Sequence, residues 1–183
     1  MTMRDPDADG HATADTVLKA LRRTRQIRLF TDEPVAETDL QAILEVARWS
    51  GSSTNRLPWM FMIVRKRGDR VRLAELAPYA RHVAGAPVAI AMVMSGTDAE
   101  AEAYDEGRAS ERILVAASAL GLGAGIGWAM EPERRDVAAY LGLVAPAFVR
   151  TIISLGHPTE AARTPRSAPG TARRPLADLI LER

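Results

Sequence analysis

The chain predicts an α+β fold in three layers, and three observations carry that reading. Two short apolar runs, Trp59 to Val64 and Pro87 to Met94, read as strands, the first ended by a turn and the second buried. Segments such as Thr38 to Trp49 repeat their apolar residues at helical spacing, at Leu40, Ile43, Leu44, Val46 and Ala47. The strands and helices do not follow a strict strand-helix-strand order, so the sheet is not that of a doubly wound fold. At 183 residues and 47% hydrophobic, the chain can bury one sizeable α/β core but is short for two.

The elements follow in order. Residues 1–12 are polar, lack the apolar stretch of a signal peptide and read as a disordered tail. Thr13 to Arg23 carries Val17, Ala20 and Leu21 on one side, a short amphipathic helix, and Thr24 to Phe30 reads as extended. After the Thr38 to Trp49 helix comes a polar loop, Gly51-Ser-Ser-Thr-Asn-Arg, that no core requires. The first apolar strand ends at Arg65-Lys-Arg-Gly, Val71 to Leu76 is helical, and the second strand follows. Tyr104 to Leu120 is the longest helix, charged in its first turns and apolar all round in its second half, so it needs cover on every side. Gly123 to Trp128 is a strand or extended segment, Pro132 to Leu141 a helix and Phe148 to Leu155 the last strand. Beyond His157 the chain turns Pro-, Arg- and Ala-rich and closes on an amphipathic piece from Pro175. The organisation expected is one domain over 13–183, with 158–183 extending over a partner subunit.

Composition excludes several classes. The net charge is +1, from 24 basic and 23 acidic side chains, too balanced for a protein that neutralises a nucleic-acid backbone. The absence of cysteine removes disulfides and thiolate chemistry and fits a reducing cytosol, so a cytoplasmic location is expected. His11, His82 and His157 lie far apart without metal-ligand spacing, so no metal is expected. Ile113 to Met130 is apolar except for Ser118 and about as long as a membrane span, but glycines at 121, 123, 125 and 127 divide it, and a buried helix followed by a strand explains it better.

Two motif readings fail. Gly121-Leu-Gly-Ala-Gly-Ile-Gly127 has its third glycine at the wrong offset for a dinucleotide fingerprint and follows a helix instead of opening one. No glycine stands two positions after Ser52 or Ser53, so neither is the serine of a nucleophile elbow. What remains is distributed: Arg25-Gln-Ile-Arg28-Leu-Phe30, Ser52-Ser-Thr-Asn55-Arg-Leu-Pro58-Trp59 and Arg173-Arg-Pro-Leu176. Arginine forks suit a phosphorylated ligand, serine and asparagine suit the polar edge of a ring, and glycines let backbone amides approach closely. Trp59 reads as a core aromatic.

Together these segments resemble the nitroreductase family, including its deiodinase-like and flavin-destructase-like branches, over nearly the whole chain. The family's Arg-Arg-Ser-x-Arg-x-Phe stands here as Thr24-Arg-Gln-Ile-Arg-Leu-Phe30, and its Pro-Ser-x-x-Asn-x-Gln-Pro-Trp as Gly51-Ser-Ser-Thr-Asn-Arg-Leu-Pro-Trp59. The helix leading into Gly-Leu-Gly spans Asp105 to Gly123, and the closing Arg-Lys-Pro-Leu is Arg173-Arg-Pro-Leu176. Thr24, Gln26 and Leu57 depart from the family's Arg, Ser and Gln.

The resemblance implies a three-layer α/β/α sandwich with a central, mostly antiparallel sheet, and a homodimer binding FMN where its subunits meet. It implies that Arg25, Gln26 and Arg28 hold the phosphate, ribityl chain or pyrimidine edge, and that Arg173 reaches the phosphate from the tail. Ser52, Ser53 and Asn55 would arrive from the other subunit, and Ile126, Gly127 and Trp128 would present backbone near the reactive N5. The implied activity is reduction of an electron-poor small molecule, such as a nitroaromatic or quinone, with NAD(P)H as co-substrate. No protein nucleophile is needed, because the cofactor carries the chemistry. A flavin-storing protein with little turnover is the other reading. The stretch between Met94 and Tyr104, where relatives insert a lid, is short, which implies an open site.

Overall fold

The computed structural model describes residues 6–164 and 173–182. Four strands, β1 (Trp59–Val64), β2 (Val88–Met94), β3 (Gly123–Trp128) and β4 (Phe148–Gly156), form one sheet in the order β1-β2-β4-β3. Every pairing in it is antiparallel. Among the described residues six α-helices accompany the strands: α1 (Pro6–Arg23), α2 (Glu37–Arg48), α3 (Arg67–Leu76), α4 (Ala99–Ala119), α5 (Glu133–Tyr140) and α6 (Glu160–Arg163). Short 3-10 segments at Ser53–Asn55, Pro78–Gly85 and Leu176–Leu179 complete the described elements.

The alternation of side chains along β2 builds the layers. Val88, Ile90, Met92 and Met94 face one core with Leu40, Ile43 and Ala47 of α2 and Ala109, Ile113, Leu114 and Ala117 of α4. Ala89, Ala91 and Val93 face a second core with Leu73 of α3, Val83 of the Pro78–Gly85 segment and Val137 of α5. Both faces of the sheet are therefore covered, and the expected three-layer sandwich with an antiparallel sheet is what forms. Trp59 is buried in the first core, as read from the sequence.

Three expectations change. Helix α1 starts at Pro6, not Thr13, so residues 6–12 of the expected tail are helical backbone, while 1–5 lie outside the described residues. Helix α4 starts at Ala99, not Tyr104, because the Asp98 carboxylate accepts the Ala101 amide and caps it. The apolar half of α4 is mostly covered by its own chain: Ile113, Leu114, Ala116 and Ala117 are buried, Val115 is half-buried, and Leu120, just past the helix end, stays 43% exposed. Less expected still, Glu102, Asp105 and Glu106 in its first turns are buried.

Candidate functional site

Strand β3 lies at the edge of the sheet, and residues 24–30 run along its free side. The Ile27 amide donates to the Ala124 carbonyl at 2.8 Å, and Phe30 bridges Pro158 beyond the end of β4. This approach requires glycine in β3: a Cβ at Gly125 would collide with the Ile27 carbonyl oxygen and the Arg28 side chain, and one at Gly123 with the Ile27 side chain. The glycine-rich run that failed as a nucleotide fingerprint thus has a local packing reason.

Beside this edge opens a groove of about 860 Å³, whose lining includes Gln26, Arg28, Tyr79, Glu106, Ile126, Trp128, Met130, Arg134 and Arg150. Tyr79, Trp128 and Met130 form exposed apolar walls, at 70%, 51% and 40% exposure. At one end the Ile126 amide donates to Gln26 Oε1 at 2.6 Å, and Arg28 Nη2 donates to the Ile126 carbonyl at 3.3 Å. Behind this edge His82 Nδ1 lies 2.8 Å from Ser154 Oγ, which donates to the Gly125 carbonyl. Burial, then the nearby Arg28 charge, lowers the His82 pKa to about 4, so the imidazole is neutral at physiological pH.

At the other end Glu106 Oε1 accepts the Thr151 amide at 3.0 Å, and its Oε2 lies 3.4 Å from Arg150 Nε. Burial pushes the Glu106 carboxyl above its ordinary pKa, against the pull of Thr151 and Arg150. Arg134 donates from Nε to the Ala129 carbonyl at 3.0 Å and pairs with exposed Glu131 at 3.3 Å.

A second, smaller pocket of about 280 Å³ lies next along β3 and is lined by Arg23, Arg25, Ile27, Ser118, Ala124 and Arg163, among others. Arg25 Nη2 donates there to the carbonyls of Ala162 and Arg163.

Of the residues singled out from the sequence, Gln26, Arg28, Ile126 and Trp128 share the groove, with Gly127 between the last two. Arg25 instead faces the neighbouring pocket. Ser52, Ser53 and Asn55 do not join them within this chain. Ser53 lines a separate 370 Å³ cavity, and the carboxylate of Asp105 on α4 holds its amide at 3.0 and 3.1 Å. The Ser52 hydroxyl accepts the Leu57 amide at 2.8 Å, which leaves its O–H to donate. Thr54, Asn55 and Leu57 all adopt positive φ, of 50°, 57° and 49°, a costly backbone for residues other than glycine. Arg173 is exposed at the start of the second described stretch.

Sequence reasoning missed Glu106, Arg134, Arg150 and Arg163. In sequence the first three look like ordinary charged residues on helices or at a strand end. Among the described residues no group of acidic and histidine side chains could hold a metal ion, and no helix is long and apolar enough to cross a membrane.

The geometry has relatives. A family model described as Nitroreductase family matches residues 21–83, which contain the Arg25 to Phe30 segment and the Ser52 to Trp59 loop. A candidate NADH dehydrogenase/NAD(P)H nitroreductase of Methanothermobacter thermautotrophicus is 31% identical, over 83% of this chain and 82% of its own. An NADH dehydrogenase of Thermus thermophilus is 30% identical, over 80% of this chain and 88% of its own. The crystal structure of a candidate nitroreductase from Desulfovibrio desulfuricans in complex with FMN superposes with a TM-score of 0.74 at 30% identity, covering 99% of this chain and 98% of that one.

Proposed function

This chain belongs to the nitroreductase family, and from that premise we propose that it is a homodimeric FMN-dependent oxidoreductase that uses NAD(P)H to reduce an electron-poor small molecule, a nitroaromatic or a quinone. The observation that carries the reading is the groove along the β3 edge, where Arg28, Gln26 and the Ile126 backbone converge. At about 860 Å³ it falls within the range of roughly 300–1,000 Å³ typical of cofactor and ligand pockets.

The donor set fits FMN. A flat ring with a polar edge needs backbone amides and a cation beside it, and Ile126 and Arg28 offer both. A phosphate needs arginine forks, and the adjoining pocket has Arg23, Arg25 and Arg163, with Arg173 reaching in from the tail under this reading. When bound, the cofactor accepts two electrons from the nicotinamide and passes them to the acceptor.

The chain's own residues then bind and orient. Arg28 would present positive charge to the ring's pyrimidine edge. The Ile126 amide, now bonded to Gln26, with Gly127 and Trp128 after it, would lie toward the ring's reactive edge. The apolar walls of Tyr79, Trp128 and Met130 take the planar acceptor and limit water. Ser52, Ser53 and Asn55 complete the site from the partner subunit, which agrees with their absence from the Arg28 groove of their own chain and with the strained loop that carries them. The exposed Leu176, Leu179 and Ile180 of the tail supply an apolar strip for the partner to cover.

The test is spectroscopic. The purified protein should show flavin absorbance, lose it on anaerobic addition of NADH, and consume NAD(P)H when a nitroaromatic or quinone is supplied. A flavin-loaded protein that ignores both nicotinamides would be a storage protein instead.

A further inference from the structure

The end of the groove away from Arg28 has a chemistry that holding a flavin does not use. The charged residues in the lining are Arg28, Arg134, Arg150 and Glu106, three cations against one buried carboxylate. Glu106 is committed to the Thr151 amide and to Arg150. The guanidinium carbons of Arg134 and Arg150 lie 5.7 and 5.4 Å from the centroid of the Phe148 ring, so both head groups pack against one ring, and both line the groove and act electrostatically on Glu106.

Each guanidinium carries five N–H donors. The contacts of Arg134 to the Ala129 carbonyl and to Glu131, and of Arg150 to Glu106 and the Ala99 carbonyl, leave donors on both. Arg134 and Arg150 keep 23% and 17% of their side-chain surface accessible, so the charge is partly desolvated and still reachable. The apolar walls of Trp128, Met130 and Tyr79 line the same groove.

We propose that Arg134 and Arg150 form an oxyanion subsite that selects acceptors carrying a carboxylate on an aromatic ring, the ring lying against Trp128 and Met130 and the carboxylate on the two guanidinium groups. The proposal rests on the oxidoreductase reading for its acceptor class, but the binding it describes needs no turnover. The 2′-phosphate of NADPH is the other oxyanion that could use the same chemistry, and the test separates the two.

Calorimetric titration of the purified protein, with its flavin content read from absorbance and no nicotinamide present, compares 4-nitrobenzoate with 4-nitrobenzamide. The carboxylate should bind about tenfold or more tightly than the neutral amide, a difference that one charge-assisted contact supplies. Arg134→Gln should remove most of this preference while leaving 4-nitrobenzamide binding unchanged. Arg150→Met alone would strand Glu106 in the interior, so the informative variant is Glu106→Gln with Arg150→Met, and it should erase the preference too. Equal binding of the two probes to the parent protein overturns the subsite. So does a preference that survives both variants, or, in a separate titration with NADPH and NADH, variants that weaken NADPH alone and leave 4-nitrobenzoate binding intact. Failure of the oxidoreductase reading shows separately, as a protein without flavin absorbance or one whose flavin neither nicotinamide reduces.

Discussion

Five donors converge on the carboxylate of Glu102: the Ser95 hydroxyl, the Gly96, Thr97 and Asp98 amides and the Thr97 hydroxyl. Burial raises its pKa, but these hydrogen bonds outweigh burial and hold it below the ordinary value. The turn that feeds α4 is therefore built around a charge. Glu102→Gln points an amide NH₂ at donors and should cost about 1–3 kcal/mol in urea denaturation at pH 7. Because the folded-state pKa is depressed, the stabilisation is present above the unfolded value of about 4.3 and is lost as pH falls through the folded one. The gap between parent and variant should close in acid, and equal stability at pH 7 would refute the account of this turn. Arg28 is the corresponding residue of the site. Arg28→Ala should weaken FMN binding by about 1.5–3 kcal/mol, measured by fluorescence titration, with the fold unchanged by circular dichroism. Unchanged affinity would remove Arg28 from the site.

Among the elements, β3 is where packing and function meet. Its glycines let residues 24–30 lie against the sheet edge and so set where Gln26 and Arg28 point. Gly125→Ala inserts a methyl group into the Ile27 carbonyl and should cost about 1–3 kcal/mol of stability. Its loss of flavin affinity should exceed that of Gly68→Ala in α3, where a Cβ meets nothing. If both variants bind flavin equally, the placement of Gln26 and Arg28 does not depend on β3. These elements differ in how far the sequence reveals them. Strand β2 is legible because both of its faces are apolar, and α2 because its apolar residues keep helical spacing. The start of α4 is not, since Glu102, Asp105 and Glu106 suggest a solvated face; Glu102 is held by the turn just before it, and the burial of the other two depends on partners distant in sequence: Ser53 for Asp105, Thr151 and Arg150 for Glu106. For the same reason Gln26, Arg28 and Ile126 could be named from a motif, whereas Arg134 and Arg150 could not. Arg25 lines the adjoining pocket and Arg28 the groove, because along an extended segment residues three apart face opposite ways.

For the whole molecule, the α4 helix is a weaker argument for dimerisation than its sequence suggested, because one chain covers most of its apolar half. The stronger motives are the tail, with Leu176 at 71%, Leu179 at 58% and Ile180 at 52% exposure, and a Ser52–Asn55 loop that does not reach Arg28 in its own chain. Leu176→Asp with Ile180→Asp should shift the protein toward monomer by light scattering at micromolar concentration and release flavin in parallel. A stable monomer that keeps one FMN per chain would show that the site is complete without a partner. The central claim, that the β3 groove holds a flavin which nicotinamide reduces, meets its most direct test in an anaerobic absorbance titration of the purified protein. The account predicts a yellow protein with about one flavin per chain, bleached by NADH or NADPH and recoloured by a nitroaromatic or quinone. A colourless protein that takes up no added FMN would contradict it.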